Sequence, residues 1–270
     1  MKRRIAAILL CVILTAAAVL SSVADALVPG DANGDGKVTV SDASLMMRYC
    51  VGLDRRIQSR SKIYADVNHN FEVDAEDAVM VLRSVAGLIA LPAPDALDNT
   101  LYQKLLKQST LEDDGMTEWV ARYIQSMKAG DRKKVICAAA EYLGTPYGTL
   151  DCSLFLKNAF YDAGISKDVY PGKSSDATLK WFRETHPDRL HNTGILDWTN
   201  WKPGCVLIYV DDTGKATHVA LYVGAVDGEP IVMESRRSGC DGVRLGYPME
   251  SYITSAGSES VLTCYADPFA

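Results

Sequence analysis

Cys152 and His218 are the residues whose types and surroundings can do chemistry. Cys152 stands in the run Tyr147-Gly-Thr-Leu-Asp-Cys-Ser-Leu-Phe-Leu-Lys-Asn-Ala-Phe-Tyr-Asp-Ala-Gly164. A small polar turn ends in Asp151-Cys152-Ser153, and an apolar set at helical spacing follows (Leu154, Phe155, Ala159, Phe160, Ala163), closed by Gly164. The pattern predicts a thiol in the first turn of a largely buried helix. The partial positive charge of the unsatisfied N–H groups there favours thiolate over thiol. His218 opens His-Val-Ala-Leu-Tyr-Val-Gly224, which reads as a buried strand. A strand-borne imidazole facing a helix-capping thiol suits nucleophilic attack on an amide carbonyl, the thiolate attacking and the imidazolium protonating the leaving amine. Glu234 falls on the next predicted strand, 230–234.

A second constellation precedes residue 90. Asp31-Ala-Asn-Gly-Asp-Gly-Lys-Val-Thr-Val-Ser-Asp42 repeats as Asp66-Val-Asn-His-Asn-Phe-Glu-Val-Asp-Ala-Glu-Asp77, and each copy runs into an apolar helical pattern ending in Gly-Leu (Gly52-Leu53, Gly87-Leu88). Oxygen ligands at loop positions 1, 3, 5, 9 and 12, with a backbone carbonyl at 7, suit a hard cation such as calcium. The first loop offers Asp31, Asn33, Asp35, the Lys37 carbonyl, Thr39 and Asp42; the second offers Asp66, Asn68, Asn70, the Glu72 carbonyl, Asp74 and Asp77. Two structural calcium ions are expected, and no cofactor for catalysis. Phe71 stands where the first loop has Gly36. A bulky residue forced to positive φ costs about 1–2 kcal/mol, so the second site is expected to be weaker or its turn different.

The 270 residues that carry these constellations are enough for one or two domains. The start, Met-Lys-Arg-Arg followed by an apolar run and Ala24-Asp25-Ala26, reads as a secretory signal peptide over residues 1–26. Cys11 lies inside that apolar run, too early for lipoprotein processing. Removing the segment takes away Lys2, Arg3, Arg4 and Asp25, so the net charge of −6 becomes −8. That charge argues against a nucleic-acid partner, and no later segment is long and apolar enough for a membrane span. A secreted, extracellular protein, associated with a scaffold or a cell surface, is expected. The later cysteines (Cys50, Cys137, Cys152, Cys205, Cys240, Cys264) are scattered, with no Cys-x-x-Cys. This excludes the common zinc patterns and leaves one or two disulfides open. A Pro/Ala linker spans 89–98; helices are predicted at 116–127, 132–143 and 177–183, a turn and strand over 201–210, and further strands at 218–223, 230–234, 243–245 and 261–265. Helices first and strands later make an α+β fold. His186 and His191 read as exposed residues of a connecting segment, and His69 as a non-ligand of the second loop.

The duplicated loop-helix segment resembles a type I dockerin, a small all-α module that plugs secreted enzymes into a cohesin-bearing scaffold. The resemblance covers about residues 28–88 and implies cohesin contact through Val40-Ser41 with Met47-Arg48, or Ala75-Glu76 with Leu82-Arg83. The two sets differ, so equivalent binding in two orientations is not expected. The later part resembles the NlpC/p-sixty family of cell-wall cysteine endopeptidases. The matching marks are Leu143-Gly-Thr-Pro-Tyr147, Asp151-Cys-Ser153, Lys202-Pro-Gly204 and His218-Val-Ala-Leu-Tyr-Val-Gly224. That resemblance implies a minimal papain-like domain of helices plus an antiparallel sheet. It also implies hydrolysis of a peptidoglycan stem peptide, and a substrate pocket lined by Tyr147 and Ser153. The segment departs from the family pattern in its short Tyr147–Cys152 interval, in Leu154 for the usual glycine and in Cys205 for the usual aspartate. The resemblance implies a third residue on the next strand that orients the histidine; usually histidine, it falls here at Glu234, whose carboxylate would accept the other imidazole N–H, fix the tautomer and stabilise the imidazolium. The expected domains are the signal peptide 1–26, the dockerin 27–90, a linker and packing helix 91–128 and the cysteine peptidase 129–270. The alternatives are an amidase or acyltransferase acting on protein amides, a non-catalytic wall-binding module, and a calcium-dependent adaptor.

Overall fold

The computed structural model describes residues 28–195, 197–237, 241–253 and 257–270. The signal-peptide expectation and Cys240 lie outside the described residues. Among those described, no helix is long and apolar enough to cross a membrane. The chain divides into two compact units, residues 28–68 with 73–94, and residues 69–72 with 95–270.

The first unit contains α1 (Val40–Cys50), α2 (Ser59–Ala65) and α3 (Ala75–Val85). Its repeat is visible in every local device. Thr39 and Asp74, both extended, cap α1 and α3, and the third helical residue of each (Asp42, Asp77) returns its carboxylate to the cap N–H at 2.8 and 2.9 Å. Each Gly-Leu is a helix stop. Gly52 and Gly87 take φ of 71° and 72°, and Leu53 and Leu88 donate back to the carbonyls of Arg48 and Arg83, both at 2.9 Å. α1 and α3 pack through Ala43, Met46, Ala78 and Val81, all buried, with Ile63, Ala65 and Val67 completing a small core. α2 has no sequence-level counterpart. It is short and polar, without a side-chain cap.

The second unit is α+β. Five helices, α4 (Asn99–Leu106), α5 (Asp114–Ser126), α6 (Asp131–Ala140), α7 (Cys152–Asp162) and α8 (Ser175–Thr185), precede the strands. The strands are β1 (Leu190–Asn192), β2 (Val206–Asp211), β3 (Ala216–Val226), β4 (Glu229–Arg236), β5 (Gly242–Gly246), β6 (Ser251–Ile253) and β7 (Glu259–Ala266). Spatial order is β1-β7-β2-β3-β4-β5, with β6 paired to β7 and every strand pair antiparallel. β3 is the centre. It is buried along almost its whole length and is packed by α5, α7 and α8, while Trp201, Leu207, Tyr209, Tyr222, Val232 and Leu262 form one aromatic and aliphatic cluster. That double cover is why β3 reads as a continuous apolar run rather than an alternating one.

The predicted helices and strands are present with shifted ends. The helix expected over 132–143 stops at Ala140, because the chain turns into Gly144 at φ 86°. β1 and β6 have no apolar signal of their own, and the short apolar pattern of α4 (Leu101, Tyr102, Leu105, Leu106) was not read from the sequence. α4 is started by Asp98, whose carboxylate accepts from Thr100 and Leu101, while β1 and β6 are three-residue strands held only by pairing with β7. His191 therefore sits in a strand, exposed, rather than in a connecting loop.

Candidate functional site

Cys152 is the first residue of α7, with Asp151 as N-cap accepting the Leu154 N–H at 2.8 Å. The thiol is buried, 5 % exposed. The segment before it is pinned to the sheet edge: Tyr147 N–H donates to the Asp241 carbonyl at 3.1 Å, Val243 N–H to the Thr145 carbonyl at 3.0 Å, and the Ser235 hydroxyl to the Leu150 carbonyl. Gly242 is required at that contact. A Cβ on it would stand 2.4 Å from the Thr145 carbonyl oxygen.

The sheet supplies the rest of the site as one row across four strands. Tyr209 of β2 pairs with His218 of β3. Leu221 pairs with Met233, so Glu234 of β4 stands one step on, opposite Ala220 and diagonal to His218 on the same face. Glu234 pairs directly with Arg244 of β5. Glu234 Oε2 lies 2.7 Å from His218 Nε2. Its Oε1 accepts from both Nε and Nη2 of Arg244, the former at 3.1 Å, and Arg236 Nη1 stands 3.9 Å away. With Nε2 engaged by Glu234, Nδ1 is the imidazole nitrogen left to face the Cys152 sulfur. Tyr252 of β6 stacks on the imidazole, with centroids 5.1 Å apart and planes at 25°, and Tyr209 tilts against it at 5.3 Å.

Burial alone would raise the Cys152 pKa. The hydrogen bond and charge of His218, with the Ser175 hydroxyl and the Val219 N–H, outweigh it and hold the thiol below its ordinary value. For His218, burial pulls the pKa down, but the Cys152 and Glu234 partners raise it above the ordinary imidazole value. Glu234, opposed by burial, is held low by the His218 hydrogen bond and charge and by Arg244 and Arg236. The three shifts agree in sign, each partner favouring the charged form of its neighbour. By contrast, burial pushes up the thiols of Cys137, Cys264 and Cys205, the last to about 12. Among the described residues, Cys137, Cys152, Cys205 and Cys264 are free thiols.

The structure thus brings Cys152, His218 and Glu234 together, with Tyr147 and Ser153 beside them. Tyr147 carries the Arg237 guanidinium 5.3 Å over its ring, and its phenol is pushed up to about 12 by burial and by the Cys152 charge. Ser153 bonds the Ser175 hydroxyl at 2.9 Å, and Ser175 lies 3.7 Å from the Cys152 sulfur. Sequence reasoning missed Ser175, Arg244 and Tyr252. Arg244 had a signal, a charge inside the apolar strand Val243-Arg-Leu245 that needs a buried partner. Ser175, at the start of α8, and Tyr252, on a three-residue strand, had none.

The two oxygen-rich loops share one backbone. Asp31 Oδ1 accepts from the N–H groups of Gly34 and Asp35, and Oδ2 from that of Gly36 at 2.7 Å. Asp42 and Asp77 each accept amides from the start of their own loop, Asn33 for the first and Val67 and Asn68 for the second. Loop positions 4 and 6 have positive φ in both copies, Gly34 and Gly36 at 72° and 80°, His69 and Phe71 at 58° and 71°. The turn is therefore the same, and the second loop bears it on two residues with a Cβ. Asp31, Asp42, Asp66 and Asp77 are buried, and burial raises the Asp77 carboxyl. Among the described residues no three His, Cys, Asp or Glu side chains cluster as a metal site. The expected donors also include Asn33, Thr39, Asn68, Asn70 and the carbonyls of Lys37 and Glu72, an all-oxygen set that fits calcium.

Residues 29–86 match the family model for the dockerin type I domain, so this segment is a type I dockerin. Domains of that type bind calcium and bind cohesin domains. No curated protein and no solved structure matches the chain. Val40, Met47 and Leu82, on the helices implied in cohesin contact, are exposed.

Proposed function

We propose that the chain is a secreted cysteine endopeptidase or amidase, carried on a cohesin-bearing scaffold by its calcium-loaded dockerin. The substrate class is a peptidoglycan stem peptide. The observation that carries this reading is a buried thiol at a helix start, held low by a buried imidazole whose far nitrogen meets a carboxylate at 2.7 Å. The Cys152 thiolate attacks the amide carbon. The oxyanion is held by N–H groups at the α7 start, that of Cys152 first among them. The His218 imidazolium gives its proton to the nitrogen as the C–N bond breaks, and the amine leaves. Water then attacks the thioester while His218 takes its proton, and the acid and the resting pair are released. Glu234 holds the imidazole throughout. Asp31, Asn33, Asp35, Thr39 and Asp42, with their counterparts Asp66, Asn68, Asn70, Asp74 and Asp77, are the side chains that hold calcium. One calcium ion per loop would, when bound, supply the positive charge that offsets the two buried carboxylates there, Asp31 and Asp42 or Asp66 and Asp77.

A non-catalytic wall binder has no use for a buried row of three ionic side chains, whose desolvation costs several kcal/mol per ion. The test is mass spectrometry of purified muropeptides incubated with wild type and Cys152→Ala. Stem-peptide fragments with wild type alone support the reading; identical profiles refute it.

A further inference from the structure

Beyond the three residues given chemical roles, the row continues to Arg244 and leaves the sheet. Arg244 Nη1 donates to Thr110 Oγ1 at 2.9 Å, and Thr110 in turn reaches the Leu245 carbonyl by hydroxyl and by N–H, at 3.1 and 2.9 Å. Leu245 N–H donates to the Gln108 carbonyl at 2.9 Å, and Ser109 forms a parallel bridge with Leu245. The segment between α4 and α5 therefore lies along β5 as a strap. Gly246 leaves it room: a Cβ there would stand 2.4 Å from Thr110 Oγ1.

We propose that Arg244, held by Thr110, is a positioning residue that keeps Glu234 charged and aims one oxygen at His218. The geometry divides the carboxylate. Arg244 takes Oε1 with two donors, and only Oε2 is left for the imidazole. Glu234 is wholly buried and Arg244 nearly so, so water cannot replace the guanidinium. Without it burial weighs more heavily against the charged carboxylate, and the less charge Glu234 holds the less it stabilises an imidazolium. The other titratable groups facing Glu234 are His218 from β3, Arg236 from its own strand, Tyr209 from β2 and Tyr252 from β6. Around the sulfur stand Tyr147, with Arg237 over its ring, and the Ser153 and Ser175 hydroxyls. Arg236 offers one nitrogen at 3.9 Å and cannot replace the two-donor contact.

This inference rests on Cys152 and His218 being a nucleophile–base pair, and its test needs no substrate. The rate of Cys152 alkylation by iodoacetamide, followed against pH in the full chain by peptide mapping, reports the thiolate directly. Arg244→Gln should move the acid limb of that profile up by about one pH unit or more, a roughly tenfold slower reaction at the foot of the limb. Thr110→Val should move it the same way by less, and Arg244→Lys, which keeps the charge but not the fork, should fall between. In a Glu234→Gln background Arg244→Gln should add nothing. A folded Arg244→Gln protein with the wild-type profile overturns the proposal, as does an equal shift with Glu234 already neutral. If Arg244→Gln does not fold, Thr110→Val and the Glu234→Gln/Arg244→Gln pair, which buries no lone charge, decide the matter. An ordinary thiol profile in the wild type would instead overturn the nucleophile reading itself.

Discussion

Glu234→Gln removes the charge that faces the imidazolium while keeping the shape and an oxygen acceptor. In the native chain that charge acts across 2.7 Å inside a site closed to solvent, with Oε1 occupied by Arg244. A hydrogen bond to a charged group contributes about 1.5–3 kcal/mol, and at 1.36 kcal/mol per decade this is a loss of roughly 10–150-fold in kcat/KM. The coupling adds a second signature. The imidazolium loses its partner, so the His218 pKa falls, and with a weaker cation beside it the Cys152 pKa rises. The window in which thiolate and imidazolium coexist narrows from both sides. The assay is kcat/KM on a stem-peptide substrate across pH, with thermal unfolding to verify the fold. Unchanged kcat/KM and unchanged limbs would refute the role given to Glu234. A loss of activity with both limbs in place would show that Glu234 acts through packing rather than charge.

In the wild type, activity should rise with pH through a thiol pKa lying below the ordinary cysteine value and fall through an imidazole pKa lying above the ordinary histidine value. Initial rates from acid to alkaline pH test this, and an acid limb at the ordinary thiol value contradicts it. Cys152→Ser should lose turnover while keeping its melting temperature, as read by hydrolysis and calorimetry. Chelation of calcium in the full chain should abolish cohesin binding and lower the dockerin helix signal, with hydrolysis retained. Because His69 and Phe71 carry the positive φ that glycines carry in the first loop, at about 1–2 kcal/mol for each L residue, Asp31→Ala should cost more calcium affinity than Asp66→Ala by calorimetry.

The parts legible in the sequence are those fixed by local chemistry. The two loops carry their ligand pattern, caps and Gly-Leu stops in consecutive residues, so the first unit reads off directly. Cys152 is placed by its own N-cap, and His218 and Glu234 by strand parity across a short hairpin. The positions that did not read were set by long-range pairing. Tyr252 reaches His218 only because β7 holds a three-residue strand, and Ser175 reaches the thiol only because α8 packs on β3. Thr110 lies 134 residues before its partner Arg244 and has no periodic neighbours. The second loop shows the opposite limit. Phe71 left open a weaker site or a different turn, and the backbone takes the same turn with the strain retained.

The most direct test of the central claim is site-resolved labelling. The full chain is treated with sub-stoichiometric iodoacetamide slightly below neutral pH, and the cysteines are mapped by mass spectrometry alongside residual hydrolysis. Cys152 should take the label ahead of every other cysteine, activity should fall in proportion, and His218→Ala should remove that preference. Labelling spread over the other thiols, or Cys152 labelling that His218→Ala leaves unchanged, would contradict a Cys152–His218 nucleophile.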